Sequence, residues 1–186
     1  MHTRIIHIFG ASGSGTTTLG AALAADLDVL HLDADDFYWH KTDPPYQDKV
    51  PPAARIDAIL ERLHGVERCV LSGSLCSWGD RLLPLFEVAI LVRLAPSVRM
   101  ARLRARERVR NGARIDPGGD LHREHVEFME WATKYDEGKA PLRTLHLHRQ
   151  WMTRLDCATF DMDSSRPTSE LVIATKTTLT ELGVLP

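Results

Sequence analysis

One stretch near the start of the chain limits its possible folds more than any other: Gly10-Ala11-Ser12-Gly13-Ser14-Gly15-Thr16-Thr17. Gly10, Gly15 and Thr17 fit the phosphate-binding pattern G-x-x-x-x-G-K-[ST], but Thr16 stands where the pattern has lysine. Before it, Arg4 to Phe9 is a short β-rich apolar run suited to a buried parallel strand. After it, Thr17 to Leu27 carries the leucines and alanines of a helix packed against a sheet. Strand, glycine loop and helix are the context the motif needs. Glycines let the backbone curl so that successive N–H groups point inward, and the helix N-terminus adds partial positive charge. The stretch therefore predicts a nucleoside triphosphate site formed by Gly10, Ser12, Gly13, Ser14, Gly15, Thr16, Thr17 and Thr18, with the Thr17 hydroxyl offered to magnesium. The bland alternative is a glycine-rich turn with no ligand. A dinucleotide fingerprint is excluded, because Gly13 and Gly15 are followed by Thr18 where that pattern has glycine.

The remaining composition narrows the setting. The chain has 186 residues, 44% hydrophobic and 26% charged, which predicts one soluble domain spanning 1–186 with ample core. A net charge of −2 suggests neither nucleic acid nor a membrane surface as a partner. No apolar run approaches the ~20 residues that cross a bilayer, and a strand begins too early for a signal peptide. Cys69, Cys76 and Cys157 form no C-x-x-C pair and read as thiols in a reducing cytoplasm. His122-x-x-His125 and His146-x-His148 have no carboxylate or cysteine at a ligand spacing, so no zinc site is expected.

Further along, strands and helices alternate, which argues for an α/β fold with a mostly parallel sheet. Strands are expected at Val29–Asp33, Arg68–Ser72, Val88–Val92 and Cys157–Met162. Helices are expected at Ala53–His64, Pro96 to about Asn111, Leu121–Glu137, Leu142–Leu155 and Pro167–Leu182, with a short helix or turn at Trp78–Leu85. Ala34 to Pro52 reads as a polar, proline-bearing connection and Arg114 to Asp120 as a loop. Ligands in such a fold bind at the C-terminal edge of the sheet.

Several chemically capable groups reach that edge. Asp33 and Asp35 are two apart and share a face if extended. One suits magnesium and the other can accept a proton from a substrate hydroxyl. Alternatively Asp33 caps the following turn and its neighbours are solvated. Gly73 and Ser74 end the third strand, where glycine admits a substrate and serine donates, or where the strand merely turns. Arginines 99, 102, 104, 106, 108, 110 and 114 crowd one helix and the loop after it, offset locally only by Glu107. A solvated basic helix is one explanation. Another is a mobile lid in which Arg106, Arg110 and Arg114 fork onto phosphate; nucleic-acid binding is a competing use, against which the net charge and the lack of interleaved aromatics count. Arg99, Arg102, Arg106 and Arg110 are spaced to share one face. Phe37, Tyr38 and Trp39, with His40 and Lys41, line an acceptor pocket or pack in the core; Phe128 and Trp131 read as packing residues.

In this order (phosphate loop, Asp33-x-Asp35, Ser72-Gly73-Ser74, arginine-bearing lid) the chain resembles the small-kinase branch of P-loop proteins, the adenylate, cytidylate, shikimate and gluconate kinases. It also resembles bacterial adenylate-kinase-like ATPases labelled as AAA proteins. The resemblance implies a three-layer α/β/α sandwich with a five-stranded parallel sheet in the order 2-3-1-4-5. It also implies an acceptor-binding insert at about 34–64, a lid at about 106–120 and an adenine contact from about Asp163 to Pro167. Asp33 and Asp35 match the Asp-x-Asp of shikimate kinase that serves magnesium and substrate, while Ser72-Gly73-Ser74 matches its glycine-rich turn only in part. Asp36-Phe37-Tyr38 faintly resembles uridine kinase.

The expected activity is transfer of the γ-phosphoryl group of Mg-ATP to a hydroxyl or to a nucleotide phosphate, by a monomer or homodimer. Asp35, Arg106 and Arg110 would be catalytic. Asp33, Gly73, Ser74 and Arg114 would contact the acceptor, and Thr17 and Asp33 the metal. Thr16 leaves a second reading open: a nucleotide-binding or sensing protein that has lost catalysis. Lys41, Lys49 and the lid arginines are candidates for the missing charge.

Overall fold

A computed structural model of the protein describes residues 3–43, 45–138 and 143–186. Five strands form one sheet: β1 (Arg4–Gly10), β2 (Leu30–Asp33), β3 (Arg68–Ser72), β4 (Phe86–Arg93) and β5 (Ala158–Asp163). Their spatial order is β2-β3-β1-β4-β5, and every pairing is parallel. The helices are α1 (Thr16–Leu27), α2 (Ala34–Tyr38), α3 (Pro52–Arg62), α4 (Pro96–Asn111), α5 (His122–Thr133), α6 (Leu145–Met152) and α7 (Thr168–Glu181). Short 3-10 turns cover Asp80–Leu85 and Gly112–Ile115.

Side-chain alternation along β1 divides the core. Ile6 and Ile8 point to an aliphatic face covered by α1 and α7, through Leu19, Leu23, Leu171, Val172 and Leu179. Ile5 and Phe9 point to the opposite face, covered by Ile56 and Ile59 of α3 and by Trp151 of α6. This is the expected three-layer sandwich. Both faces are dry at β1 and β4, so those strands read as continuous apolar runs. Burying one such isoleucine contributes about 1.5–3 kcal/mol.

The second face also holds His7, stacked between Phe9 and Phe86 at ring distances of 5.1 and 4.8 Å. Its Nδ1 donates to Leu71 O at 2.9 Å, and burial lowers its pKa to about 3. It is therefore a neutral core residue.

Boundaries moved in a few places. The connection after β2 opens with helix α2, because the Asp33 carboxylate accepts from the Asp35 N–H at 3.0 Å and caps it. The expected helix Leu121–Glu137 is confined to His122–Thr133. The next begins at Leu145 behind the Thr144 cap, while Leu142, its expected start, lies outside the described residues. Strand β5 starts at Ala158, so Cys157 precedes it.

Candidate nucleotide and acceptor site

The cleft at the C-terminal edge of the sheet encloses about 1100 Å³. Its nucleotide end is made of backbone. Gly10 ends β1 against β4, so close that a Cβ there would stand 2.4 Å from Val92 O. Gly13 has φ +81°, and a Cβ on it would meet Leu103 of α4 at 2.8 Å. Glycine is thus dictated by packing at both points. Among the described residues, Ser14 N donates to Ala11 O at 3.1 Å, while no acceptor meets the N–H of Ser12, Gly13, Gly15 or Thr16. Ser14 Oγ is buried and also without a partner among them. Unsatisfied donors at a helix N-terminus form an anion site.

Two further contacts fix the loop. Arg99, fully buried, donates to Ser12 O at 3.3 Å and to Ala132 O at 3.0 Å, and pairs with Asp136 at 2.7 Å. Ser164, in the turn after β5, donates from Oγ to Ser14 O at 2.6 Å. Arg99 thus departs from the expected shared arginine face: it turns inward beneath the loop, and only Arg102, Arg106 and Arg110 of that series line the cleft. Helical spacing could not distinguish these, because their separation depends on α5 covering the first turns of α4.

At the metal position, Thr17 Oγ1 donates to Asp33 Oδ2 at 2.7 Å. That leaves the lone pairs of the Thr17 hydroxyl free for a cation, and sets Asp33 beside it for an ion or its waters. The other Asp33 oxygen caps α2, one of the two roles that sequence left as alternatives, and the geometry at Oδ2 is compatible with the other. These residues fit a magnesium nucleotide.

Asp35 stands at the junction of the two ends. Water still reaches it, but protein crowds it, and desolvation raises its pKa. Arg143 and Arg106 oppose that rise, and Asp33 and Asp36 add to it. Beyond it the walls are side chains. Tyr38, Trp39, Tyr46, Trp78, Phe128 and Trp131 line this end. Cations lie over several of them: Lys49 over Trp39 at 5.7 Å, Arg110 over Tyr46 at 5.3 Å, Arg106 over Phe128 at 5.9 Å and Arg143 over Trp131 at 5.7 Å. Phe128 and Trp131, read from sequence as packing residues, line the cleft as well as packing beside Leu103 and Ala132. Glu107, nearly buried, holds Arg106 at 3.2 Å and Arg110 at 4.0 Å.

The other sequence candidates divide: Gly73 and Ser74 line the cleft and Arg114 does not. Gly73 has φ +98°, and a Cβ there would stand 2.9 Å from that of Ala34, so the turn and its contact with the start of α2 both call for glycine. Ser74 lines the cleft, and its Oγ meets His148 Nε2 at 3.0 Å while Tyr135 Oη meets His148 Nδ1 at 2.7 Å. Burial lowers the His148 pKa to about 3, so its ring is neutral. Arg114 is not a lining residue: Asp120 holds it at 2.6 Å and Asp43 at 3.4 Å. With Arg110 over Tyr46, that pair ties the lid to the insert. Lys41 is exposed and away from the cleft; Phe37 packs against the core. Arg143 and the His148 network carry no local signal, because both come from the segment after α5 and meet partners distant in the chain.

A family model described as an AAA domain matches residues 6–129. The chain belongs to that AAA domain family. The uncharacterized protein YqaC of Bacillus subtilis (strain 168) is 38% identical over 168 residues, covering 90% of this chain and 92% of that protein. Among solved structures, a shikimate kinase from Bacteroides thetaiotaomicron aligns with a TM-score of 0.58 at 18% identity, covering 98% of this chain and 99% of its own. A sugar kinase from Janibacter sp. HTCC2649 aligns at 0.54 and 16% identity, covering 96% and 95%. The AAA-family loop is thus carried on a kinase-like P-loop fold, with the strand order read from the resemblance.

Proposed function

We propose that the protein is a phosphotransferase that moves the γ-phosphoryl group of ATP to a small-molecule hydroxyl or a nucleotide phosphate. One observation carries this reading: Asp35 and the Thr17–Asp33 pair open into the same cleft as the phosphate loop. A binding module would need the loop but not a carboxylate of raised pKa two residues beyond Asp33.

The N–H groups of Ser12, Gly13, Gly15 and Thr16 hold the phosphates. Thr17 and Asp33 hold magnesium, which when bound neutralises charge on them. With a hydroxyl acceptor, its oxygen forms a bond to the γ-phosphorus, the bond from that phosphorus to the β,γ-bridging oxygen breaks, and ADP leaves. Asp35 takes the hydroxyl proton; its raised pKa makes it the stronger base for that task. Arg106 and Arg110, oriented by Glu107, face the developing charge.

The test is a γ-phosphoryl transfer assay over nucleosides, nucleotides and small polyols, with Asp35→Asn as control. Transfer lost in that variant supports the scheme. Tight ATP binding without transfer to any acceptor, and a wild type no faster than the variant, would favour a nucleotide sensor, the reading to which Thr16 gives weight.

A further inference from the structure

The loop lacks its lysine, yet α4 brings a cation to it. A Cβ built on Gly15, the residue before Thr16, has one heavy atom within 4 Å outside its immediate neighbours: Arg102 Nη1, at 3.8 Å. Arg102 lines the cleft, and its Nη2 donates to Ser164 O at 3.4 Å, the residue whose hydroxyl clasps the loop. Among the described residues no carboxylate pairs with it.

Most rivals are engaged elsewhere. Arg99 is locked to Asp136 beneath the loop. Arg106 and Arg110 share Glu107. Lys49 lies over Trp39 on the opposite wall, and Arg143 over Trp131. Arg166 also lines the cleft, and it is the rival that Arg166→Gln tests.

We infer that Arg102 is the phosphate-binding cation of this site, standing in for the lysine that Thr16 replaces. An unpaired guanidinium at the rim can fork onto two phosphate oxygens, where lysine would supply a point charge. The charge then comes from the helix that carries the lid, so triphosphate binding is coupled to α4 and not to α1. This rests on the nucleotide binding proposed above.

Calorimetric titration with a non-hydrolysable ATP analogue, ADP and AMP, each with magnesium, tests it. Arg102 is exposed, so Arg102→Gln leaves packing intact. The variant should lose analogue affinity on the order of 10- to 100-fold, the scale of a charged hydrogen bond, with a much smaller loss for AMP. Thr16→Lys added to Arg102→Gln should recover most of the loss, whereas Thr16→Lys alone should bring no gain, because the two cations would compete for one place. Equal binding by wild type and Arg102→Gln overturns the inference. So does a loss equal for all three nucleotides, which would make Arg102 a reader of base or ribose, or a loss seen with Arg166→Gln instead. A wild type that binds none of the nucleotides defeats the functional reading itself, an outcome distinct from those three.

Discussion

The two ends of the cleft are built from different materials. The proposed nucleotide end is a run of consecutive residues that offers backbone N–H groups and whose side chains are mostly small. The proposed acceptor end is assembled from α2, the turn after β3, α4, α5 and Arg143, and its walls are side chains. A backbone site depends on the absence of side chains, so it tolerates almost nothing added. A side-chain site depends on particular functional groups, so it loses chemistry before it loses structure.

The largest expected effect lies at the junction. Asp35→Asn should lower transfer by about 10²–10⁴-fold, the usual worth of a general base, while ATP affinity, measured by titration, changes less than about twofold. The low-pH limb of the wild-type rate should sit above that of an ordinary aspartate, because in the proposed scheme Asp35 works ionised and its pKa is raised. For stability the sign is reversed. The folded state holds this proton more tightly than the unfolded chain, so its contribution falls as pH rises through that window. Asp35→Asn should therefore melt no earlier than wild type at neutral pH; an earlier melt would mean that the carboxylate is a structural anchor.

Next is Gly10→Ala, the backbone counterpart. With Val92 O 2.4 Å from the new methyl, β1 and β4 must shift. Denaturant unfolding should show a loss of about 1–3 kcal/mol, with nucleotide binding lost too. Undiminished binding would break the comparison, since the loop would then tolerate added atoms.

Acid exposes a further asymmetry. His7 and His148, both on the acceptor-side face of the sheet, have pKa values lowered from 6.5 to about 3. The unfolded chain takes up protons that the folded one refuses, so stability falls as pH drops below 6.5. Each histidine contributes a slope of about 1.4 kcal/mol per pH unit. His148→Gln should remove about half of the slope arising from these two in pH-dependent unfolding; an unchanged slope would mean that His148 is protonated in place.

The smallest effect is Ser74→Ala, which strands His148 Nε2 and should cost about 1 kcal/mol in thermal unfolding without altering nucleotide affinity. A drop in nucleotide affinity would join the two ends that the comparison separates.

The same division explains what the sequence disclosed. The phosphate loop could be read because Gly10, Gly15 and Thr17 carry their meaning at fixed spacing. The alternation of strands and helices made the sheet legible, and Pro96 marked the start of α4. The acceptor end was legible only as candidates. Asp35 could be named by its place after β2, but its desolvation depends on Arg143 and Arg106 from distant elements. Arg99 and Arg102, three residues apart, looked alike; α5 buries the first and leaves the second at the rim. Arg114 read as a ligand group, yet Asp120, six residues later, and Asp43 hold it. Local pattern records backbone conformation well, whereas the direction of a long charged side chain is decided by elements far away in the chain.

The clasp between Ser164 and Ser14 joins residues 150 positions apart. During synthesis the phosphate loop emerges early, and β1 can pair with β3 and then β4 as they appear. The hydroxyl that holds the loop's carbonyl comes only with the turn after β5. A nascent or truncated chain ending before that turn would carry every residue of the phosphate motif and still lack the contact that sets its shape. The protein should acquire tight nucleotide binding late, once β5 has closed the sheet.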